Sequence, residues 1–235
     1  MENIIFKIDK NKVELKVQEY FLRSSGLSRE GEKFVKMRER ARIIKEEIAE
    51  RVDIIAVASF FNEFQIVEDT LTVQGRTFRC NPFSMIHSNA VKGVYLYAIT
   101  AGDYSMDNRE IMDQLYADIW GTSYVDAGRN ILVDYLLKDF SAKRKVTGKE
   151  DEIIVTDSFG PGFYGMETGD TKKIFEVIDG GKIGVDCRES GVMVPLKSCT
   201  GIYLIVEAGT ELPGIECETC LGSTISCNMC NIRGK

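Results

Sequence analysis

The sequence predicts an α+β protein with a largely antiparallel sheet. Three observations carry that reading. Long helical periodicity falls in the first quarter of the chain and at Met106–Phe140. Short β-branched and aromatic runs bounded by turn residues cluster between these helices and again after them. Strands and helices therefore come in runs rather than in strict alternation, which argues against a parallel, doubly wound sheet. With 235 residues, 44% of them hydrophobic and only 4 prolines, the chain has the material for a large core.

The elements follow in order. Val13, Val17, Tyr20 and Phe21 fall at helical spacing, and Ser24-Ser25-Gly26 supplies a stop. Ser28 is the expected N-cap of a second helix with the apolar stripe Phe34, Met37, Ala41, Ile44 and Ile48. The basic residues Lys36, Arg38, Arg40, Arg42 and Lys45 alternate with glutamates, which is the composition of a solvated helix face. A strand over Ile54–Phe61 precedes a meander, Phe64–Val67, Leu71–Val73 and Arg76–Cys80, turning at Asp69-Thr70 and Gln74-Gly75. Val91–Thr100 reads as another strand, and the long helix Met106–Phe140 contains Gly121 and Gly128. After a charged stretch come a strand at Ile153–Val155, a Gly-rich loop and a short helix over Asp170–Ile178. Strands at Ile183–Cys187, Val192–Val194 and Cys199–Glu207 complete the pattern. The expected organisation is an N-terminal helical segment (1–52), an α+β core (53–210) and a Cys-rich tail (211–235).

Composition excludes several classes of function. A net charge of −6 argues against a general nucleic-acid binder. No apolar stretch approaches a membrane span, and the N-terminus has no signal-peptide pattern, so no membrane partner and a cytoplasmic location are expected. The single histidine, His87, removes His-rich metal sites and makes a Ser-His-Asp or Cys-His nucleophile a poor reading.

Two local motifs carry chemistry. Gly160-Pro-Gly162-Phe-Tyr-Gly165 has the literal form G-x-G-x-x-G after a strand, but no helix opens inside the glycines. Bulky Phe163 and Tyr164 also occupy positions where a phosphate would approach, so a tight turn is expected rather than a dinucleotide cradle. Cys217, Cys220, Cys227 and Cys230 form two CxxC pairs near the C-terminus. Four thiolates suffice for tetrahedral zinc or an iron–sulfur cluster, and the six-residue spacer decides for neither.

Four stretches taken together resemble a known family: Ala98-Ile-Thr-Ala-Gly102, Ala117-Asp-Ile-Trp-Gly-Thr-Ser-Tyr-Val-Asp-Ala127, Pro161-Gly-Phe-Tyr-Gly165, and Glu189–Ser198 running into Thr200-Gly201. In order and spacing they are similar to the activation (reactivation) domain of vitamin B12-dependent methionine synthase, and above all to its stand-alone members. The resemblance implies a bent antiparallel sheet flanked by helices, with S-adenosylmethionine held in a shallow groove. It further implies docking on a partner, a corrinoid protein or cobalamin-dependent methyltransferase, that brings the cobalt. There a low-potential electron donor reduces Co(II), and the methyl group of S-adenosylmethionine traps the product. In this family an acidic residue on the long helix faces the ligand's amino group, and that position is Asp126. The family loop Arg-x-x-Pro-Gly-Tyr falls on Ser158, Pro161, Gly162 and Phe163, with Tyr164 beside the Tyr position. The Arg that contacts the ligand's carboxylate in the family is thus a serine here. Two other readings stay open at this point: a metal-binding docking or electron-transfer subunit without methylation chemistry, and a structural zinc protein that reuses the fold.

Overall fold

A computed structural model describes residues 2–104, 106, 109–145 and 152–212. The chain opens with a short strand, β1 (Ile4–Lys7), before two helices, α1 (Lys10–Ser25) and α2 (Glu32–Ile48). Asp9 caps α1 by accepting from the Asn11 N–H at 2.9 Å, and Gly26 ends it in the left-handed conformation. The expected cap at Ser28 is not used, because α2 starts after Gly31. Strand β2 (Ile55–Phe61) leads into the meander β3 (Phe64–Val67), β4 (Thr70–Val73) and β5 (Arg76–Arg79). Then come β6 (Val91–Thr100), the long helix α3 (Ile111–Lys145), β7 (Ile153–Val155) and α4 (Asp170–Phe175). A two-residue hairpin, β8 (Asp186–Cys187) and β9 (Met193–Val194), precedes the last strand, β10 (Ser198–Glu207).

The main sheet has the order β1-β2-β6-β10-β7, with every neighbouring pair antiparallel. This confirms the α+β class and the antiparallel sheet. The meander forms its own sheet, β3-β4-β5. Side-chain alternation along β6 and β10 divides the core into two layers. Tyr95, Tyr97, Ile99, Tyr203 and Ile205 face the helices, while Val94, Leu96, Ala98, Ile202 and Leu204 face the meander and α4.

The N-terminal strand is the main element that periodicity did not show. Its four residues are too short a run to outweigh the helical pattern that follows. Its pairing, Ile4 opposite Ala58 through Lys7 opposite Ile55, places the start of the chain on the edge of the main sheet.

Helix α3 is apolar on more than one face because it is a middle layer. One side packs on the sheet through Ala127, Ile131 and Leu132, and the other receives α1 and α2. There Phe21 stacks on Trp120 at a centroid distance of 3.7 Å, and the Trp120 indole donates to the Ala41 carbonyl at 2.8 Å. The Tyr124 hydroxyl and the Lys45 ammonium both donate to Glu14, at 2.7 and 2.6 Å. The basic run of α2 is therefore only partly a solvated face. Arg42 and Lys36 pair with glutamates of their own helix. Arg38 donates to the Leu27 and Arg29 carbonyls, while Arg40 grips the buried Asp113 carboxylate with two nitrogens.

Two glycines let α3 sit low on the sheet. A Cβ at Gly128 would lie 2.7 Å from Ile54 Cγ2 and 3.3 Å from Ile99 Cδ1, and Gly121 is covered by the Tyr104 ring. Glycine inside a helix costs about 1 kcal/mol relative to alanine, and here close packing offsets it. Gly128→Val is expected to destabilise the protein by about 1–3 kcal/mol through overpacking. Urea denaturation would show it as a lower midpoint at unchanged slope.

The Arg40–Asp113 pair sets an acid-sensitive contribution. Hydrogen bonding from Arg40 holds the Asp113 carboxyl below the usual carboxylate range. A depressed carboxylate pKa stabilises the fold above the unfolded value, about 3.9, and that stability is lost as pH falls through the folded value. Asp113→Asn should accordingly lower the melting temperature at neutral pH. The gap from the unsubstituted protein should close as the pH drops below about 4.

Candidate functional site

The site lies where α3 crosses the C-terminal half of β6 and the N-terminal half of β10. From α3 come Asp126 and Arg129, one turn apart on the same face, with a single long ion pair of 3.5 Å between them. From the sheet come Tyr97, Cys199 and Tyr203, all on the helix-facing side. The Tyr97 and Tyr203 rings are 4.8 Å apart, and the Tyr203 hydroxyl donates to the Arg129 carbonyl at 2.9 Å. Tyr20 of α1 closes one side through a hydrogen bond from the Asn130 amide.

Ser158 joins this group from the segment that follows β7. Its hydroxyl is 2.7 Å from the Tyr97 hydroxyl. The segment reaches the strand because residue 201 is glycine. A Cβ there would lie 2.6 Å from the Phe159 carbonyl oxygen and 2.8 Å from Ser158 Oγ. The register places Gly201 opposite Tyr97, so the ring and the Ser158 segment share the space that a side chain would fill. Phe159 pairs with Ile202 as an isolated bridge and points to the other layer, against Phe83.

Beyond Phe159 the chain turns away from the helix-facing side. The Gly162 and Phe163 amides donate to the Met166 and Gly160 carbonyls, and the Met166 amide donates to the Phe163 carbonyl. A phosphate cradle needs such amides free. Here they close tight turns, which agrees with the turn expected from the bulky Phe163 and Tyr164. Tyr164 packs edge-on against Phe159, and its carbonyl accepts from Asn81. Phe163 is exposed. The structure thus brings Asp126 and Ser158 into one polar cluster, with Pro161, Gly162, Phe163 and Tyr164 continuing from Ser158 around the sheet edge. His87 is exposed in a surface turn, and Tyr203 is buried in the core.

Burial dominates the electrostatics. It raises the Asp126 carboxyl above its ordinary value, against the pull of Arg129. Burial likewise pushes the Cys199 thiol up to about 11, and it raises the Tyr97 and Tyr203 hydroxyls well above the ordinary tyrosine value. Cys199 is therefore a neutral thiol at physiological pH and a poor nucleophile. The chemistry of the cluster suits holding a ligand rather than attacking one: it combines a carboxylate, a guanidinium and hydroxyl groups beside two tyrosine rings.

Sequence reasoning missed Arg129, Tyr97 and Cys199. The three-residue spacing from Asp126 to Arg129 was a usable signal for the first. The other two owe their place to strand register, which the sequence alone does not disclose. Among the described residues, no group of three or more His, Cys, Asp or Glu side chains is placed to hold a metal ion. Cys217, Cys220, Cys227 and Cys230 lie outside the described residues. No described helix is long and apolar enough to cross a membrane.

A five-stranded antiparallel sheet under one long helix, with polar residues at their crossing, defines an α+β architecture of a recognisable kind. The chain has the fold of a MetH reactivation domain. It is similar to a crystal structure of the MetH reactivation domain bound to AdoHcy, with a TM-score of 0.57. The likeness covers 90% of this chain and 80% of that one, at 14% sequence identity, and so speaks for the fold. No family model matches the sequence, and no curated protein matches it.

Proposed function

We propose that this protein is an accessory factor for reductive activation of a corrinoid-dependent methyltransferase, with S-adenosylmethionine as methyl donor. The observation that carries the reading is Asp126. It sits partly buried where helix α3 crosses the sheet, in a chain whose structural neighbour is a reactivation domain bound to AdoHcy. Asp126 takes the ligand's ammonium group, Ser158 borders the same site, and Pro161, Gly162, Phe163 and Tyr164 form its outer rim. The cobalt arrives as substrate on a partner, a corrinoid protein or cobalamin-dependent methyltransferase. A low-potential donor delivers one electron to Co(II). The resulting Co(I) takes the sulfonium methyl as methyl-Co(III), leaving AdoHcy. The protein contributes positioning, which turns an encounter of two reactants into a nearly intramolecular step. Alkylation then pulls an unfavourable reduction forward.

The deciding experiment mixes this protein with a Co(II) corrinoid protein, a one-electron reductant and S-adenosylmethionine, under anaerobic conditions. Visible spectra should show the Co(II) bands replaced by those of methyl-Co(III), and only when all components are present. Cobalt reduction that proceeds equally well without S-adenosylmethionine would favour the electron-transfer reading instead.

Asp126 gives the binding a direction with pH. Its carboxyl must be ionised to hold an ammonium group, and burial raises its pKa. Affinity for S-adenosylmethionine should therefore fall as pH drops through that raised value. Asp126→Asn should be about ten- to hundredfold weaker at neutral pH, the loss of a charge-assisted hydrogen bond, and should show a flatter profile. Titration calorimetry across pH measures both.

The tail cysteines enter the proposal through their spacing alone, as ligands for an Fe–S cluster or zinc. Anaerobically purified protein should carry metal, with brown absorbance for a cluster or none for zinc. Cys217→Ser combined with Cys227→Ser should release that metal while the far-ultraviolet circular dichroism stays nearly unaltered.

A further inference from the structure

The guanidinium of Arg129 is oddly provided for. Only a quarter of its side chain is accessible, yet its sole ion pair, to Asp126, is a single contact at 3.5 Å. None of its N–H groups has a hydrogen-bond acceptor among the described residues. A guanidinium carries five donors in a planar fork suited to a carboxylate, and those of Arg129 are not sealed from solvent, so an incoming anion can reach them. Among the described residues no second carboxylate forms an ion pair with it, and Asp157 acts on the neighbouring Tyr203. Tyr97, Cys199 and Tyr203 lie close enough to Arg129 to interact with it electrostatically, and burial keeps all three in their neutral forms. On its own helix, Arg129 stands one turn from Asp126, so a positive and a negative group 3.5 Å apart share one face of α3, within electrostatic reach of Tyr97 and Tyr203.

We infer that Arg129 is the carboxylate anchor of an α-amino-acid recognition pair, in which Asp126 takes the ammonium and Arg129 the carboxylate of the same ligand. The inference rests on the S-adenosylmethionine reading and adds to it the source of anion recognition. Ser158, hydrogen-bonded to Tyr97, provides no positive charge on the opposite wall. Helix α3 therefore carries both charged determinants, and the loop after β7 supplies shape and hydroxyl contacts. The ligand class follows from the chemistry: a molecule with a free α-amino and α-carboxyl group at one end.

The test compares S-adenosylmethionine with its decarboxylated analogue by titration calorimetry, on the full chain and on Arg129→Gln. The unsubstituted protein should prefer S-adenosylmethionine about ten- to hundredfold, as expected for a charged hydrogen-bonded pair. Arg129→Gln should lose that preference while binding the decarboxylated analogue as well as before, which also shows that the variant is folded. Arg129→Lys should recover only part of it, because an ammonium cannot reproduce the fork. An undiminished preference in Arg129→Gln would overturn the anchor while leaving S-adenosylmethionine as the ligand. Failure of the unsubstituted protein to bind either compound would overturn the ligand assignment and the anchor with it.

Discussion

The close seating of α3 on the sheet is the constraint on which the rest of the structure depends. At Gly128 the helix backbone approaches Ile54 and Ile99 more nearly than any side chain would allow. That approach sets the depth at which the neighbouring residues Asp126 and Arg129 meet the strands. It also explains the composition of the helix. A helix pressed on the sheet from one side and covered by α1 and α2 on the other has little solvent face left. The long polar reaches are then made by specific pairs, such as Trp120 to the Ala41 carbonyl and Tyr124 to Glu14.

At the site, two backbone accommodations work together. Gly128 lowers the helix, and Gly201 lets the segment after β7 lie against β10, so that Ser158 meets Tyr97. Neither glycine contributes a functional group. Both determine how closely helix, strand and the segment after β7 approach one another. The two tyrosine rings lie tilted against each other with their hydroxyls already engaged, by Ser158 and by the Arg129 carbonyl. Burial keeps both neutral across the physiological range, so the cluster's response to pH falls on Asp126.

Much of this was legible in the sequence, for identifiable reasons. The meander was read nearly residue for residue, because short alternating runs separated by Asp69-Thr70 and Gln74-Gly75 leave few other foldings. The buried stripe of α2, with Ala41, Ile44 and Ile48, followed from helical spacing. Strand β1 was lost because four residues beside a helix give too little period to detect. The helix over Met106–Phe140 was placed a few residues early, the usual uncertainty of helix ends. Asp126 was singled out by resemblance and Ser158 by its departure from a pattern, and both lie where α3 crosses the sheet. The members contributed by β6 and β10 were hidden, because cross-strand register is a property of the folded pair and not of either strand.

The first strand has a bearing on how the molecule can be divided. Ile4–Lys7 covers the outer edge of β2, and Asn3 beside it accepts hydrogen bonds from the Asp179 amide and the Ser59 hydroxyl. The opening residues thus stitch the helix-bearing layer to the segment after α4. A fragment begun after residue 52 would present an open strand edge and a bare aromatic surface around Trp120 at once, two invitations to self-association. In the language of modularity, the visible change from helix to strand near residue 53 is a boundary of pattern and not of cohesion. The natural unit for experiment is one that keeps its first strand.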